Sequence, residues 1–417
     1  VEEAMGRKKV AMSQESRVAD GVNFEIRCFA DRGRGIVLRS PVASGGLILV
    51  EEALAWAYVD SEPSCTQAWA DSAESGEPVE VASQLLCRLF EENCVQELES
   101  LDPGPLGCGR KWSGYSHPGF ASREKELQHG CACVRLGLDR GVLHQGSVPD
   151  LEIQRLLLVV MLNAHALQPP GGCGLRQGIF TAAAMTNHSC EPNAVHLHCD
   201  APAGHGDGRA AQWMQLRAVR DIAAGEEVTI SYLDDLTLPL PERRAILRER
   251  YFFGGGDARP CDEWLGLCFK PSALAELQPL KEAADAAWEA AVAREQLGAQ
   301  QTEVKQLRLE AAARSASLLK AASGVLHADH CWLQRARVRL ASVMTASRAP
   351  RSCANALPLW SSVIRVAKLC HPPNWPSLVP LLRAGCTAAK IAESHDLLQE
   401  WEEALSAIRG VLSTDCG

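Results

Sequence analysis

The chain has 417 residues, 47% of them hydrophobic and 22% charged, the composition of a globular protein with room for two or three domains. Forty-two basic residues against 51 acidic ones give a net charge of −9, which argues against a chain-wide nucleic-acid footprint. The longest apolar run, LLLVVML at 156–162, is too short to cross a bilayer, and residues 1–20 show no secretory-signal pattern. The 17 cysteines are scattered and odd in number, so they read as reduced, mostly buried thiols rather than a disulfide framework. Cytoplasm or nucleus is the expected setting.

Residues 1–20 are polar and expected to be disordered. Alternation and β-branched content predict strands near Phe24–Phe29, Gly35–Leu38 and Leu47–Glu51, with a Gly-rich turn between the first two. Residues 60–80 read as a loop. Val81–Leu101 has helical spacing, and residues 102–120 are irregular. The stretch 150–168 predicts a helix closed by Pro169 and Pro170. Strands return at Gly178–Ala183, Ala194–Cys199, Ala211–Ala218 and Glu227–Tyr232. Pro241–Tyr251 predicts a short helix. From about Pro271 onward the chain is rich in Ala, Leu, Glu and Arg. It predicts five or six helices, with a long one near 275–325. The helix pairs suggest a tetratricopeptide-like array, although no 34-residue consensus repeats.

Three short motifs carry chemistry together. They are DRGRGIVL at 31–38, TNHSCEPN at 186–193, and DIAAGEEVTISYLDD at 221–235 followed by RRAILRERYFF at 243–253. Alone, the first is a turn between strands, and Tyr232 is a strand-end tyrosine with its hydroxyl on the backbone. Glu226 and Glu227 read as a solvated turn. A thiol nucleophile at Cys190 lacks a Cys-His-Asx arrangement beyond adjacency.

In this order and separation the motifs resemble the SET domain of protein lysine methyltransferases. The resemblance is nearest to the SET-and-MYND subgroup, through LNAHAL at 162–167, GIFTAAAMTNHSCEPN at 178–193 and the Tyr-x-Phe ending at 251–253. It implies an α+β chain: a SET-domain β-clip with a pseudoknot, a helical insert and an all-α, tetratricopeptide-like C-terminal domain. The expected division is SET core over 21–52 and 178–233, insert over 53–177, post-SET segment over 234–268 and helical domain over 269–417. Two departures stand out. The stretch where that subgroup carries its MYND zinc finger holds one cysteine, Cys65, too few for a finger. The post-SET cysteine knuckle is reduced to Cys261, which with Cys190, Asp257 and Cys268 leaves a poor donor set, so zinc is not expected there. His129, Cys131 and Cys133 read as a loop without a metal.

The resemblance also implies S-adenosylmethionine as cofactor and a lysine of a histone or non-histone protein as substrate, with no membrane or direct nucleic-acid partner and a monomeric chain. Tyr232 would be the catalytic phenol. Gly33, Arg34, Gly35, Asn163, Asn187, His188, Tyr232 and Phe253 would bind the cofactor, and His165, Tyr251 and Phe253 would line the lysine channel. Asn163 has an equal reading as a satisfied core amide, and His165 reads as a packed helix residue rather than a reactive one. The rival class is a SET-derived interaction module that binds partners through its C-terminal helices.

Overall fold

A computed structural model describes residues 23–29, 33–59, 79–101, 117–137, 148–167, 175–199, 212–233, 235–254 and 257–412. Among the described residues ten strands form three small sheets. Strands β1 (Phe24–Phe29) and β2 (Gly33–Leu38) make an antiparallel hairpin, pairing Phe24 with Leu38 and Phe29 with Gly33. Strand β3 (Leu47–Glu52) leads into β4 (Ala55–Val59), and β5 (Ala164–Leu167) and β6 (Leu175–Ile179) follow the insert. Then come the two-residue β7 (Asn187–His188), β8 (Ala194–Cys199), β9 (Trp213–Ala218) and β10 (Glu227–Ile230). The sheet orders are β1-β2-β10-β7, β3-β9-β8 and β4-β6-β5. Strand β10 pairs antiparallel with β2 on one side and parallel with β7, some forty residues earlier, on the other. That crossing brings the first, second and third motifs edge to edge.

The stretch 53–177 is not purely helical. Helices α1 (Val79–Glu91), α2 (Gly119–Ser122), α3 (Glu124–Gly137) and α4 (Asp150–Asn163) lie inside it, with a 3-10 turn at Val95–Ser100. Strands β4, β5 and most of β6 also fall within it. The helix expected over 150–168 stops at Asn163, where Ala164 turns to extended backbone (φ −72°, ψ 140°). Residues 164–167 then pair with β6, Ala164 opposite Ile179 and Leu167 opposite Arg176. A sheet partner outweighs the local helical preference of Ala and Leu. The strand expected at Gly178–Ala183 begins and ends earlier, and residues 183–185 form a 3-10 turn. The HGCAC stretch is helical rather than a loop: Cys131 is buried, while His129 and Cys133 lie one turn apart near Glu80 on the outer face. Cys65 and its surroundings, and residues 1–22, lie outside the described residues.

Helix α5 (Leu240–Tyr251) has Pro at its first turn and ends on Phe252 in the left-handed region. After α6 (Asp262–Leu265) come six consecutive helices: α7 (Leu274–Gln296), α8 (Gln301–Ala321), α9 (Cys331–Ala346), α10 (Pro350–Cys370), α11 (Leu378–Ile391) and α12 (His395–Val411). Each packs on the next. The long helix expected near 275–325 is therefore two. Gly298, at φ +70°, closes α7 by donating to the Glu295 carbonyl, while Ala299 donates to that of Arg294. One apolar cluster joins Cys190, Val195, Leu236 and Leu247 to Trp360, Leu382 and Trp401, so the C-terminal helices share a core with the motif-bearing strands.

Candidate functional site

The site grows from the β2 turn. Gly33 has φ +79°, which a side chain strongly disfavours. Gly35 has a different reason to be glycine: a Cβ there would lie 2.5 Å from Glu227 Oε1, 2.8 Å from Asn187 Nδ2 and 2.8 Å from the Phe29 ring. The Asn187 amide uses that space, donating to the Arg34 carbonyl at 2.9 Å and to Glu227 Oε1 at 2.7 Å. Gly35→Ala is therefore expected to push Asn187 off both acceptors and cost about 1–3 kcal/mol. Chemical denaturation of mutant and parent measures this, and equal midpoints would refute the close approach.

Glu226 and Glu227 are not a merely solvated turn. Asn193, 1% exposed, donates to Glu226 Oε1 at 3.0 Å and to the Glu227 carbonyl at 2.8 Å, and accepts from the Thr229 amide at 2.8 Å. Glu226 also accepts from Arg220 and from the Ala223 amide. These bonds hold the 187–193 segment along β10. Glu51, 1% exposed, accepts from the Ala182 and Ala183 amides, both at 2.9 Å, and from the Thr181 hydroxyl at 3.1 Å. Its carboxylate fixes the turn that delivers Thr186 and Asn187, and burial raises its pKa. Neither Asn193 nor Glu51 follows from sequence reading; the only signal is an acid inside an otherwise apolar strand end.

At the end of β10 four rings meet. Tyr232 lies 4.8 Å from Tyr251, 5.4 Å from His188 and 6.2 Å from Phe253, centroid to centroid. Its hydroxyl donates to the Thr186 carbonyl at 2.7 Å, and its amide donates to His188 Nδ1 at 3.0 Å. The Tyr251 hydroxyl donates to the Tyr232 carbonyl at 3.4 Å. Phe252 explains how both neighbours face inward. Its left-handed backbone (φ +62°) turns its own ring toward His117 and Arg123 of the insert, while Tyr251 and Phe253 join Tyr232. A non-glycine residue there stores about 1–2 kcal/mol of strain.

The structure gathers Gly33, Arg34, Gly35, Asn187, His188, Tyr232, Tyr251 and Phe253 into one region. Asn163 instead donates to the Val159 carbonyl of its own helix at 2.8 Å, as a core amide would. His165 packs edge-on against His196 at 4.5 Å and against Phe180 at 6.1 Å. Nε2 of both histidines is buried without a hydrogen-bond partner among the described residues. His196 is a second ring beside His165 that sequence reading missed.

Burial lowers the pKa of His165, His117 and His330 to about 4, and burial with the Arg243 charge does the same to His188. Folding keeps these rings uncharged, whereas the unfolded chain protonates them near 6.5. Their contribution is complete above that value and is lost as pH falls toward 4. Urea midpoints at pH 7.5, 6 and 5 are expected to fall steadily, and a flat profile would contradict the burial of these rings.

Beside the rings, Cys190 (0% exposed) lies 3.3 Å from His188 Nε2, and burial raises its pKa despite the nearby Arg243 and Arg259. The Cys261 thiol pairs with Cys370, and that hydrogen bond lowers its pKa. Cys268 sits elsewhere, bridged to Leu326. Among the described residues no three His, Cys, Asp or Glu side chains converge for a metal. Two buried guanidinium groups, Arg243 and Arg259, lie close enough to act on both thiols, so this donor set does not fit zinc.

A family model described as the SET domain matches residues 33–233. The N-lysine methyltransferase SMYD2-B of Xenopus laevis is 34% identical over 109 residues, 26% of this chain and 22% of that protein. The histone-lysine N-methyltransferase SMYD3 of Homo sapiens is 41% identical over 76 residues, 18% of this chain and 15% of its own length. The matched stretches thus span less than a quarter of these relatives. Among solved structures, the SET domain of LSMT bound to lysine and AdoHcy is 15% identical and covers 95% of this chain and 90% of its own, with a TM-score of 0.36. No described helix is long and apolar enough to cross a membrane.

Proposed function

We propose that this chain, which carries a SET domain across residues 33–233, is an S-adenosylmethionine-dependent protein-lysine N-methyltransferase. The observation that carries the reading is the convergence of Tyr232, Tyr251, Phe253 and His188 beside the Gly33–Gly35 turn and the Asn187 crossing. Aromatic faces suit a positively charged sulfonium, so the residues present fit the cofactor. When bound, it supplies an electrophilic methyl group.

The chain's own residues do the rest. Gly33 and Gly35 let backbone approach the cofactor, and Arg34 pairs with its carboxylate. The Asn187 and His188 side chains are engaged with Arg34, Glu227 and Tyr232, so they fix the pocket as well as line it. Tyr251, Phe253 and His165 are read as lining an apolar channel for the lysine stem. The amine must arrive uncharged, and neutral imidazoles there impose no repelling charge on it. Tyr232 and neighbouring carbonyls orient the amine lone pair toward the methyl group. The substrate is a lysine of a histone or other protein, and the chain acts as a monomer in the cytoplasm or nucleus.

Incubation with methyl-labelled S-adenosylmethionine, core histones and cell lysate tests the reading. Label on lysine in proteins is expected. Cofactor binding without transfer to any protein would favour the interaction module instead.

A further inference from the structure

We propose that Arg243, Asp262 and Arg259 form a metal-free clamp where related SET proteins use a post-SET metal, and that Arg259 is a positioning residue for the His188–Tyr232 contact. The second half rests on the proposed methyltransferase reading; the first half does not.

Arg243 is 0% exposed and Arg259 4%. Asp262 bridges them: its Oδ2 accepts from Arg243 Nη2 at 2.5 Å and from the Arg259 amide at 2.8 Å, and its Oδ1 lies 3.4 Å from Arg259 Nη2. One carboxylate lies between two buried cations, and Asp257 and Asp235 act on the neighbouring thiols from less buried positions. A divalent cation there would meet repulsion that water does not screen. Arg259 Nε is buried without a partner among the described residues and Arg243 also bonds the Cys190 thiol, while most other donors reach backbone. Arg243 Nε donates to the Leu238 carbonyl at 3.1 Å. Arg259 donates through Nη2 to the Leu236 carbonyl at 2.7 Å, and through Nη1 to those of Cys370 at 2.5 Å and Cys190 at 3.5 Å. One planar group thus ties three segments: the 187–193 turn, the loop after β10 and the end of α10. A tetrahedral metal would cross-link the same turn and post-SET segment through thiolates. Here Cys261 has turned to Cys370, and guanidinium–carbonyl bonds make the link.

The clamp leads to the rings in a chain of contacts. Arg259 holds the Cys190 carbonyl, Cys190 Sγ lies 3.3 Å from His188 Nε2, and His188 Nδ1 accepts the Tyr232 amide. Loosening Arg259 frees the turn that sets the His188 ring, and Tyr232 follows.

The test uses the full chain, purified without added metal. Elemental analysis is expected to find far less than one zinc per chain, and 1,10-phenanthroline to leave the thermal midpoint unchanged. One zinc per chain, whose removal lowers the midpoint, overturns the clamp. Arg259→Ala is expected to shift the His188 ring signals in NMR spectra and weaken S-adenosylmethionine binding about tenfold or more. Millimolar ethylguanidinium is expected to restore both, and zinc neither. Unmoved His188 signals, or no response to ethylguanidinium, would contradict the positioning role. If Arg259→Ala does not fold, Arg259→Lys decides: it keeps the charge without the planar fork, so parental His188 signals in that variant refute the assignment. A parent chain that binds no S-adenosylmethionine sinks the methyltransferase reading, while metal content, midpoint and His188 signals still judge the clamp.

Discussion

Replacing Tyr232 with Phe is expected to leave the fold and S-adenosylmethionine affinity nearly intact while methyl transfer falls by about 10²-fold or more. The ring stays because its packing against Tyr251, His188 and Phe253 does not need the hydroxyl. What goes is the 2.7 Å bond to the Thr186 carbonyl, one residue before the Asn187–His188 crossing. Losing one such bond costs stability about 1 kcal/mol, far too little to unfold the chain. The hydroxyl is therefore separable from the scaffold, and single-turnover assays beside calorimetric binding isolate its role. A mutant that turns over like the parent removes Tyr232 from catalysis.

Asn187→Asp is expected to be more damaging than Asn187→Ala, although Asp is the closer mimic in shape. The amide nitrogen faces two acceptors, the Arg34 carbonyl and Glu227 Oε1. A carboxylate in its place loses both bonds and sets one anion against another in a half-buried cleft. The cost is about 2–4 kcal/mol, against about 1–2 kcal/mol for Ala, which loses the bonds without adding charge. Both variants should lose cofactor binding, because both release the β2 turn from β10. Denaturant midpoints in the order parent, Ala, Asp support the geometry. An Asp variant as stable as the parent contradicts it.

The strands of the core were legible because alternation and glycine turns mark them locally. The eight residues gathered at the site, Tyr232 among them, were named from three motifs whose chain order, β2 then β7 then β10, the sheet rearranges to β2-β10-β7. What the sequence hid depends on distant partners. Glu227 looks like any acid beside a glycine turn until β10 lies between β2 and β7. Arg259 finds Cys190 and Cys370 at separations of 69 and 111 residues, which no spacing rule reveals. Ala164–Leu167 leaves its helix for a sheet edge supplied by β6, and Asn163, now the last helical residue, spends its amide on Val159. His165 and His196 meet across two different sheets, β4-β6-β5 and β3-β9-β8. The local pattern thus carries the elements, and the crossing of the chain carries the site.

The most direct measurement is calorimetric titration of S-adenosylmethionine into the full chain, beside Asn187→Ala. Saturable micromolar binding by the parent, lost in the variant, is the predicted result, because the pocket depends on the crossing that Asn187 fastens. Absence of binding by well-folded parent protein would contradict the methyltransferase account.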